Sequence, residues 1–469
     1  MGPFLWLLTA EEYAGLMRPV LLLEINEVPL RVWKKYAADP RFPSLSRFLR
    51  ESRMVETELS EEGELSPWCT WPTFHRGLSK KEHGIYNLGQ DPATFRGTPI
   101  WEEFRRRGKD VGVFGSMQSW PPQDPGPGGF YVPDTFSSDA RCIPAYLEPV
   151  QTFNLLQVRS NARVMADKAL RRPPALGLLI CLLRAGVRLS TLFRVAMQLV
   201  AEKISAPARE RRVAFQALLF WDIFRRHYDP ARPPAFATFF TNHIASVMHR
   251  YWNHIFPEDF PESARPAARV HHRTMEFAGG VLDQVLCEVL EWRARNPELL
   301  VLAANCMGQR AIVRSKHEGF EVLVQRPLEL LALASPGAKA QQNLAMMPQV
   351  SLELESAELA KAAAATINSM RLPSGADFLS ADARGNSLTI DCHTPSSKDL
   401  EKGVLLLEGK EIPIEKAGLE KVEVHAGTAY HEKEGIILAH GLPQTQAAPA
   451  KIDATAAKAL ILDWAGLQQ

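Results

Sequence analysis

SPWCTWPTFHRGLSKKEHG, residues 66–84, is the stretch from which the rest of the chain can be read. Ser66 followed by Pro67 predicts a helix start: serine is a favoured N-cap, and a proline at the first helical position loses no hydrogen bond and already has a helical φ. The helix is expected to run to Arg76, where Gly77 ends it, and a polar turn then leads to His83 and Gly84. A hydroxyl is thereby set at the positive end of a helix dipole, beside unpaired backbone N–H groups. Such a place favours an anion, so a phosphate- or sulfate-bearing molecule could be held there. The plainer reading makes Ser66 a capping residue and Thr70 a helix-face threonine.

Composition bounds what surrounds this stretch. A chain of 469 residues is too long for one simple core, so two or three domains, or one domain with insertions, are expected. A hydrophobic share of 46% with 23% charged residues is that of an ordinary globular protein, and a net charge of +1 gives no footprint for nucleic acid. Six scattered cysteines without a C-x-x-C pair argue against a disulfide scaffold or zinc finger and for a reducing, cytoplasmic setting. Residues 3–8 are apolar but lack a basic flank and a cleavage site, so they do not read as a secretion signal. Residues 176–200 are more apolar, yet Arg184, Arg188 and Arg194 interrupt them, which speaks against a membrane span. A half-buried soluble helix, an interfacial amphipathic helix and a helix packed on a partner all remain open.

In chain order, VLLLEI at residues 20–25 reads as a buried parallel strand and is followed by Asn26 and Glu27. Residues 31–53 have a helical pattern. Residues 85–91 are expected as loop, residues 100–107 as a helix closed by Gly108, and residues 110–115 as the next strand, together one βαβ repeat. Residues 120–133, rich in Pro and Gly, read as loop. Residues 144–228 are helical throughout and predict an insertion capping the carboxyl edge of the sheet. Residues 235–240 form a strand ending in Thr241, Asn242 and His243, with His249 on the helix beyond; residues 271–295 and 298–304 give a further helix and strand, followed by Asn305 and Cys306. Residues 322–422 break this rhythm and read as a small α+β unit in which His393 follows a strand. The predicted fold is therefore α/β, a doubly wound and mostly parallel sheet flanked by helices, with a helical insertion and a small α+β insertion. The expected divisions are 18–143, 144–230, 231–321, 322–420 and 421–469.

The order hydroxyl, aromatic, helix-ending Gly77, then His83-Gly84 resembles the nucleophile segment of the alkaline phosphatase superfamily, in its type I phosphodiesterase and nucleotide pyrophosphatase branch. The likeness extends to PSLSRFL at residues 43–49, VPD at 132–134, His249, and the closing segment with His425, His431 and His440. It covers roughly residues 20–140, 235–310 and 420–467. It implies an alkaline-phosphatase-like core with Ser66 as first and Thr70 as second candidate nucleophile, Thr70 also standing where an oxyanion-binding side chain is often found. Trp71, His83 and His440 are expected beside the substrate. The metal positions of the family fall on Asn26, Glu27, Asn242, His243, His249, Asn305, Cys306 and His431.

The departures matter as much as the matches. Asn26, Asn242 with Ala245, and Asn305 stand where carboxylates are expected, and Cys306 where a histidine is. Glu27 or Glu24 could restore one negative charge. Two neighbouring divalent ions need several carboxylates to offset their repulsion, so a single-metal site, zinc or manganese, or a metal-free one is expected. The resemblance implies cleavage or transfer of a phosphoric or sulfuric ester, phosphodiesterase-like, on a small anionic substrate that could be glycan- or lipid-linked, and no nucleic acid. The alternative is a degenerate pseudoenzyme that binds an anionic glycan, a lipid headgroup or a protein partner. A metal-independent transferase acting on polysaccharide or lipid has only the helical insertion in its favour.

Overall fold

The computed structural model describes residues 17–61, 65–159, 164–165, 174–266, 271–313, 320–392, 402–423 and 427–467. The apolar run 3–8, His393 and His425 lie outside them. Its centre is an eight-stranded sheet of β1 (Val20–Ile25), β2 (Ser52–Glu58), β3 (Val111–Phe114), β4 (Phe130–Val132), β5 (Phe236–Thr241), β6 (Leu300–Asn305), β7 (Glu434–His440) and β8 (Lys451–Asp453), in the order β8-β2-β7-β6-β1-β5-β3-β4. β7 runs antiparallel to both of its neighbours, and the other pairings are parallel. The α/β class with a mostly parallel sheet is thus what is observed.

β1 lies between β5 and β6, with Val20 paired to Phe236 on one side and Leu300 on the other, and every residue of it is buried. That double burial is why its sequence is apolar without alternation. Leu21, Leu23 and Ile25 nevertheless enter one core and Val20 and Leu22 the other, one on each side of the sheet. Helices α1 (Leu30–Ala37), α2 (Pro43–Glu51), α3 (Pro67–Arg76), α4 (Ile100–Arg106), α5 (Arg212–His227), α6 (His243–Ile255), α7 (His272–Arg295) and α8 (Ala457–Trp464) fill the two outer layers. α1, α2, α5, α6 and α7 cover the first core, with Trp33, Phe48, Trp221, Trp252 and Leu286 buried in it; α3, α4 and α8 cover the second through Trp71, Trp101 and Ile461.

Several expectations are corrected by this arrangement. Residues 52–58, within or beyond the predicted helical stretch 31–53, form strand β2, with Val55 and Thr57 facing in and Met54 and Glu56 facing out. Three residues of the Pro/Gly-rich stretch 120–133 pair with β3 as strand β4. Within residues 144–230, α5 is a sheet-covering helix: Trp221 and Phe224 pack on Phe239 of β5 at ring-centroid distances of 5.1 and 5.3 Å. Between residues 322 and 420 a third core surrounds a four-stranded antiparallel sheet and the helix Ala357–Ser369, the α+β unit expected there.

Helix α3 begins at Pro67 after Ser66 and ends at Gly77, whose φ of +66° is left-handed. A Cβ at Gly77 would lie 3.1 Å from the Thr455 carbonyl oxygen, so both backbone and packing favour glycine there.

Candidate metal centre and the cavity around it

The chain leaves β1 through Asn26 and Glu27, the latter with a left-handed φ of +59°. That conformation is costly for a residue with a Cβ and is held by what the side chain touches. Glu27 is buried, and its Oε1 accepts a hydrogen bond of 2.7 Å from Asn26 Nδ2. Its Oε2 accepts from Gln309 Nε2 and lies 3.0 Å from His249 Nε2 and 3.4 Å from His431 Nε2. His249 comes from α6, and His431 from the strand Ala429–Glu432.

The other ring nitrogens decide what these histidines offer. His249 Nδ1 is 3.1 Å from the Ala429 carbonyl oxygen, and His431 Nδ1 is 2.8 Å from that of Leu65. A carbonyl only accepts, so both Nδ1 atoms carry hydrogen and donate. In the neutral rings the Nε2 lone pairs then converge on a carboxylate. Three electron-rich groups within 4.8 Å of one another need a positive charge between them, either protons on the rings or a metal ion. Burial works to raise the pKa of Glu27, but the imidazoles of His431 and His249 hold it well below the usual carboxylate range. Two imidazoles fixed by carbonyls and one carboxylate form a fitting three-ligand set for one divalent cation with positions left open.

The cluster opens into a cavity of about 1280 Å³. Its floor includes Asn26, Glu27 and Ser66; Val150, Gln151 and Phe220 come from the helical region, and Met346, Gln349 and Asp391 from the α+β unit. Lys80 and Arg250 bring positive charge to the wall, Arg250 being paired at 2.7 Å with Glu210. Ser66 has extended backbone angles and makes no capping bond to α3. Its neighbour Leu65 holds His431, so the start of α3 is tied to the Glu27–His249–His431 cluster through one carbonyl.

The remaining sequence candidates are engaged elsewhere. Thr70 is fully buried on α3, its Oγ1 3.0 Å from Cys306 Sγ, and neither side chain lines the cavity; burial also pushes the Cys306 thiol far above its ordinary pKa. Asn26 accepts from the Trp71 indole at 2.8 Å and donates to Asn242 Oδ1 at 2.7 Å, so Asn26, Asn242 and Trp71 brace Glu27 from behind. Asn305 donates to the Val28 carbonyl at 2.9 Å and accepts from Ile436 N at 2.6 Å, stitching the loop after β1 to β7. His243 has both nitrogens occupied, by Thr241 Oγ1 at 2.7 Å and the Ala278 carbonyl at 3.1 Å, and burial lowers its pKa to about 4. His83 accepts from Ile85 N at 3.0 Å and meets Thr73 Oγ1 at 3.2 Å in a buried turn. Glu24 is buried below the site against His75 at 2.8 Å and Ser116 at 3.1 Å.

His440 is a correction of location. Because β7 is antiparallel, its last residue pairs with Val301 at the opening of β6, whereas Glu27 and Cys306 follow the closing ends of β1 and β6. The ring stacks on Phe48 at 5.3 Å and approaches Glu51 at 3.3 Å, at the opposite edge of the sheet from the cavity. Gln309 was not anticipated; a lone glutamine in an exposed-looking strand end carries no sequence signal of its hold on a carboxylate.

No protein-family model and no curated protein sequence matches the chain. Solved structures align over nearly its full length. An inactive variant of murine ectonucleotide pyrophosphatase/phosphodiesterase 5 in complex with AMP covers 96% of each chain at 10% identity and a TM-score of 0.44. Phosphonoacetate hydrolase from Sinorhizobium meliloti 1021 with phosphonoformate covers 96% of each at 13% identity and 0.43. A magnesium-bound mutant of TAB5 alkaline phosphatase covers 97% of this chain and 100% of its own at 10% and 0.39. These alkaline phosphatase superfamily proteins are what the chain is similar to, and at such identities and scores its own chemistry rests on the geometry given above.

Proposed function

We propose that the protein is a single-metal phosphoric or sulfuric ester hydrolase or transferase of phosphodiesterase type, acting on a small anionic ester. The observation that carries the reading is the convergence of Glu27 Oε2, His249 Nε2 and His431 Nε2 at the edge of a cavity whose floor also holds Ser66. Glu27, His249 and His431 would hold one zinc or manganese ion, which when bound polarises the oxygens of a phosphoryl or sulfuryl group. The chain's own part is to bind and to attack. Lys80 and the amino end of α3 draw the anion in, and the uncapped hydroxyl of Ser66 attacks phosphorus or sulfur. As the Oγ–P bond forms the hydroxyl proton is lost, and as the ester bond breaks the departing alcohol takes one up. Water, or an acceptor alcohol in transfer, then releases the group from Ser66. Thr70 is the second candidate for this attack, and its burial against Cys306 weighs against it.

The test is turnover of bis-p-nitrophenyl phosphate, p-nitrophenyl phosphate and p-nitrophenyl sulfate with added zinc or manganese, beside metal analysis. Ser66→Ala should lower turnover at least ~100-fold with metal content unchanged. Thr70→Ala should lower stability by ~1–2 kcal/mol, since it strands a buried thiol, while turnover survives. Turnover unaffected by Ser66→Ala would reject the assignment.

A second reading follows from Asn26, Asn242 and Asn305, whose amides are spent on hydrogen bonds and supply no charge for a second ion. On this reading the centre binds an anionic ester without cleaving it. Stoichiometric metal, saturable phosphate binding and no turnover would favour it.

A further inference from the structure

We propose that the helices Ala175–Arg184 and Leu189–Ile204 seat the protein on an anionic lipid surface. In the first, Leu176, Leu179, Ile180 and Leu183 recur at helical spacing on one face and are all exposed, Leu176 at 71%. In the second, Leu189, Phe193, Met197, Val200 and Ile204 form one stripe, with Phe193 at 67% and Ile204 at 82% exposed. Large apolar side chains grouped in this way on a surface mark a contact with something apolar.

Charge says which contact. Residues 174–212 carry seven Lys and Arg against two Glu, although the whole chain is only +1; of the seven, Arg188 is paired with Asp222 and Glu288, and Arg212 with Glu202. Both acids are neutralised, Glu202 by Arg212 and Glu210 by Arg250 at 2.7 Å. Arg184 and Lys203, exposed and in no ion pair among the described residues, stand directly beside Leu183 and Ile204 at the stripe ends. A second copy of this face would bring like charges together. Anionic lipid offers both an apolar layer and matching negative charge. With 10 and 16 residues the helices are too short for a bilayer core of about 30 Å, which takes ~20 residues, and no helix among the described residues is long and apolar enough to cross one. They therefore lie along the interface. Neighbouring helices of the same region supply Val150 and Phe220 to the cavity wall.

The test is flotation of the full chain with vesicles, and it stands apart from whether the cavity is catalytic. The protein should float with vesicles of phosphatidylcholine mixed with phosphatidylglycerol, and about tenfold less with phosphatidylcholine alone or in molar salt. Phe193→Glu with Ile204→Glu, and separately Arg184→Glu with Lys203→Glu, should each lower the bound fraction about tenfold at an unchanged circular-dichroism spectrum. Because the salt and lipid series use the unaltered protein, a poorly folding variant leaves the result readable. Wild-type protein that stays in solution with anionic vesicles overturns the proposal. So does a lipid-independent dimer in light scattering that the apolar substitutions dissociate.

Discussion

Replacing Glu27 by glutamine separates a metal centre from a mere hydrogen-bonded cluster. The side chain keeps its shape, and an amide nitrogen at the Oε2 position can donate to the Nε2 lone pairs of His249 and His431, 3.0 and 3.4 Å away. The amide's two hydrogens are taken up by the two rings, so the contact with Gln309 Nε2 is lost, while Gln309 keeps its bond to the Ala245 carbonyl at 3.2 Å. The fold should therefore survive while the charge is lost. Loss of an outer-shell partner alone costs a metal site ~10–100-fold in affinity, so loss of one of three direct ligands should cost ~100-fold or more. At free zinc a hundredfold above the wild-type dissociation constant, binding stabilises the native state by ~2.7 kcal/mol; for Glu27→Gln at the same zinc the gain falls to ~0.4 kcal/mol or less. Urea denaturation with and without buffered zinc reads this difference, and isothermal titration gives the affinities. A variant that binds one zinc within tenfold of the wild-type affinity would refute the assignment of Glu27, His249 and His431 as the ligand set.

Further outcomes follow from groups around the site. Burial depresses His243 from its ordinary 6.5 to about 4, so the folded state binds fewer protons than the unfolded one between these values. Its contribution is complete above pH 6.5 and is lost as pH falls towards 4, a swing of ~3 kcal/mol for 2.5 pKa units. The urea midpoint of His243→Asn should accordingly change less with pH over that window than the wild type's, and an equal slope would contradict the burial argument. Gly77→Ala should destabilise by ~1–2 kcal/mol, because alanine is strained at the left-handed φ and its Cβ meets Thr455. Unfolding equilibria would show it, and a neutral effect would count against the helix end described. His440→Ala, at the far edge of the sheet, should leave zinc affinity unchanged; a tenfold loss would place that ring in the site after all.

The parts of the fold that sequence made legible are those whose signals are local. β1 announces itself through an unbroken apolar run, and α3 through Ser66-Pro67 at one end and Gly77 at the other. β2 was hidden because SRMVETE is rich in residues that suit helices, and only its pairing with β7 and β8 makes it a strand. β4 was hidden by its three-residue length among prolines and glycines. α5 reads like the helices before it, and nothing in its own residues says that Trp221 will lie on Phe239. In the site, Glu27, His249 and His431 could be named from their places after strands and in the resemblance. Which histidine turns its Nε2 inward depends on the carbonyl that takes its Nδ1, and that is a tertiary fact. Hence His243 and Cys306, equally good on paper, are engaged by Ala278 and Thr70 instead.

The order of Glu27, His249 and His431 along the polypeptide has a consequence for biosynthesis. Glu27 is made first, His249 next and His431 last of the three, and the carbonyls that aim the two rings, Ala429 and Leu65, are themselves far apart in the order of synthesis. On the proposed metal reading, these three residues can hold an ion together only once residue 431 has been made and the strands that follow it have been threaded beside β6. Such an ion would close a loop of some four hundred residues, fastening residue 27 to residue 431.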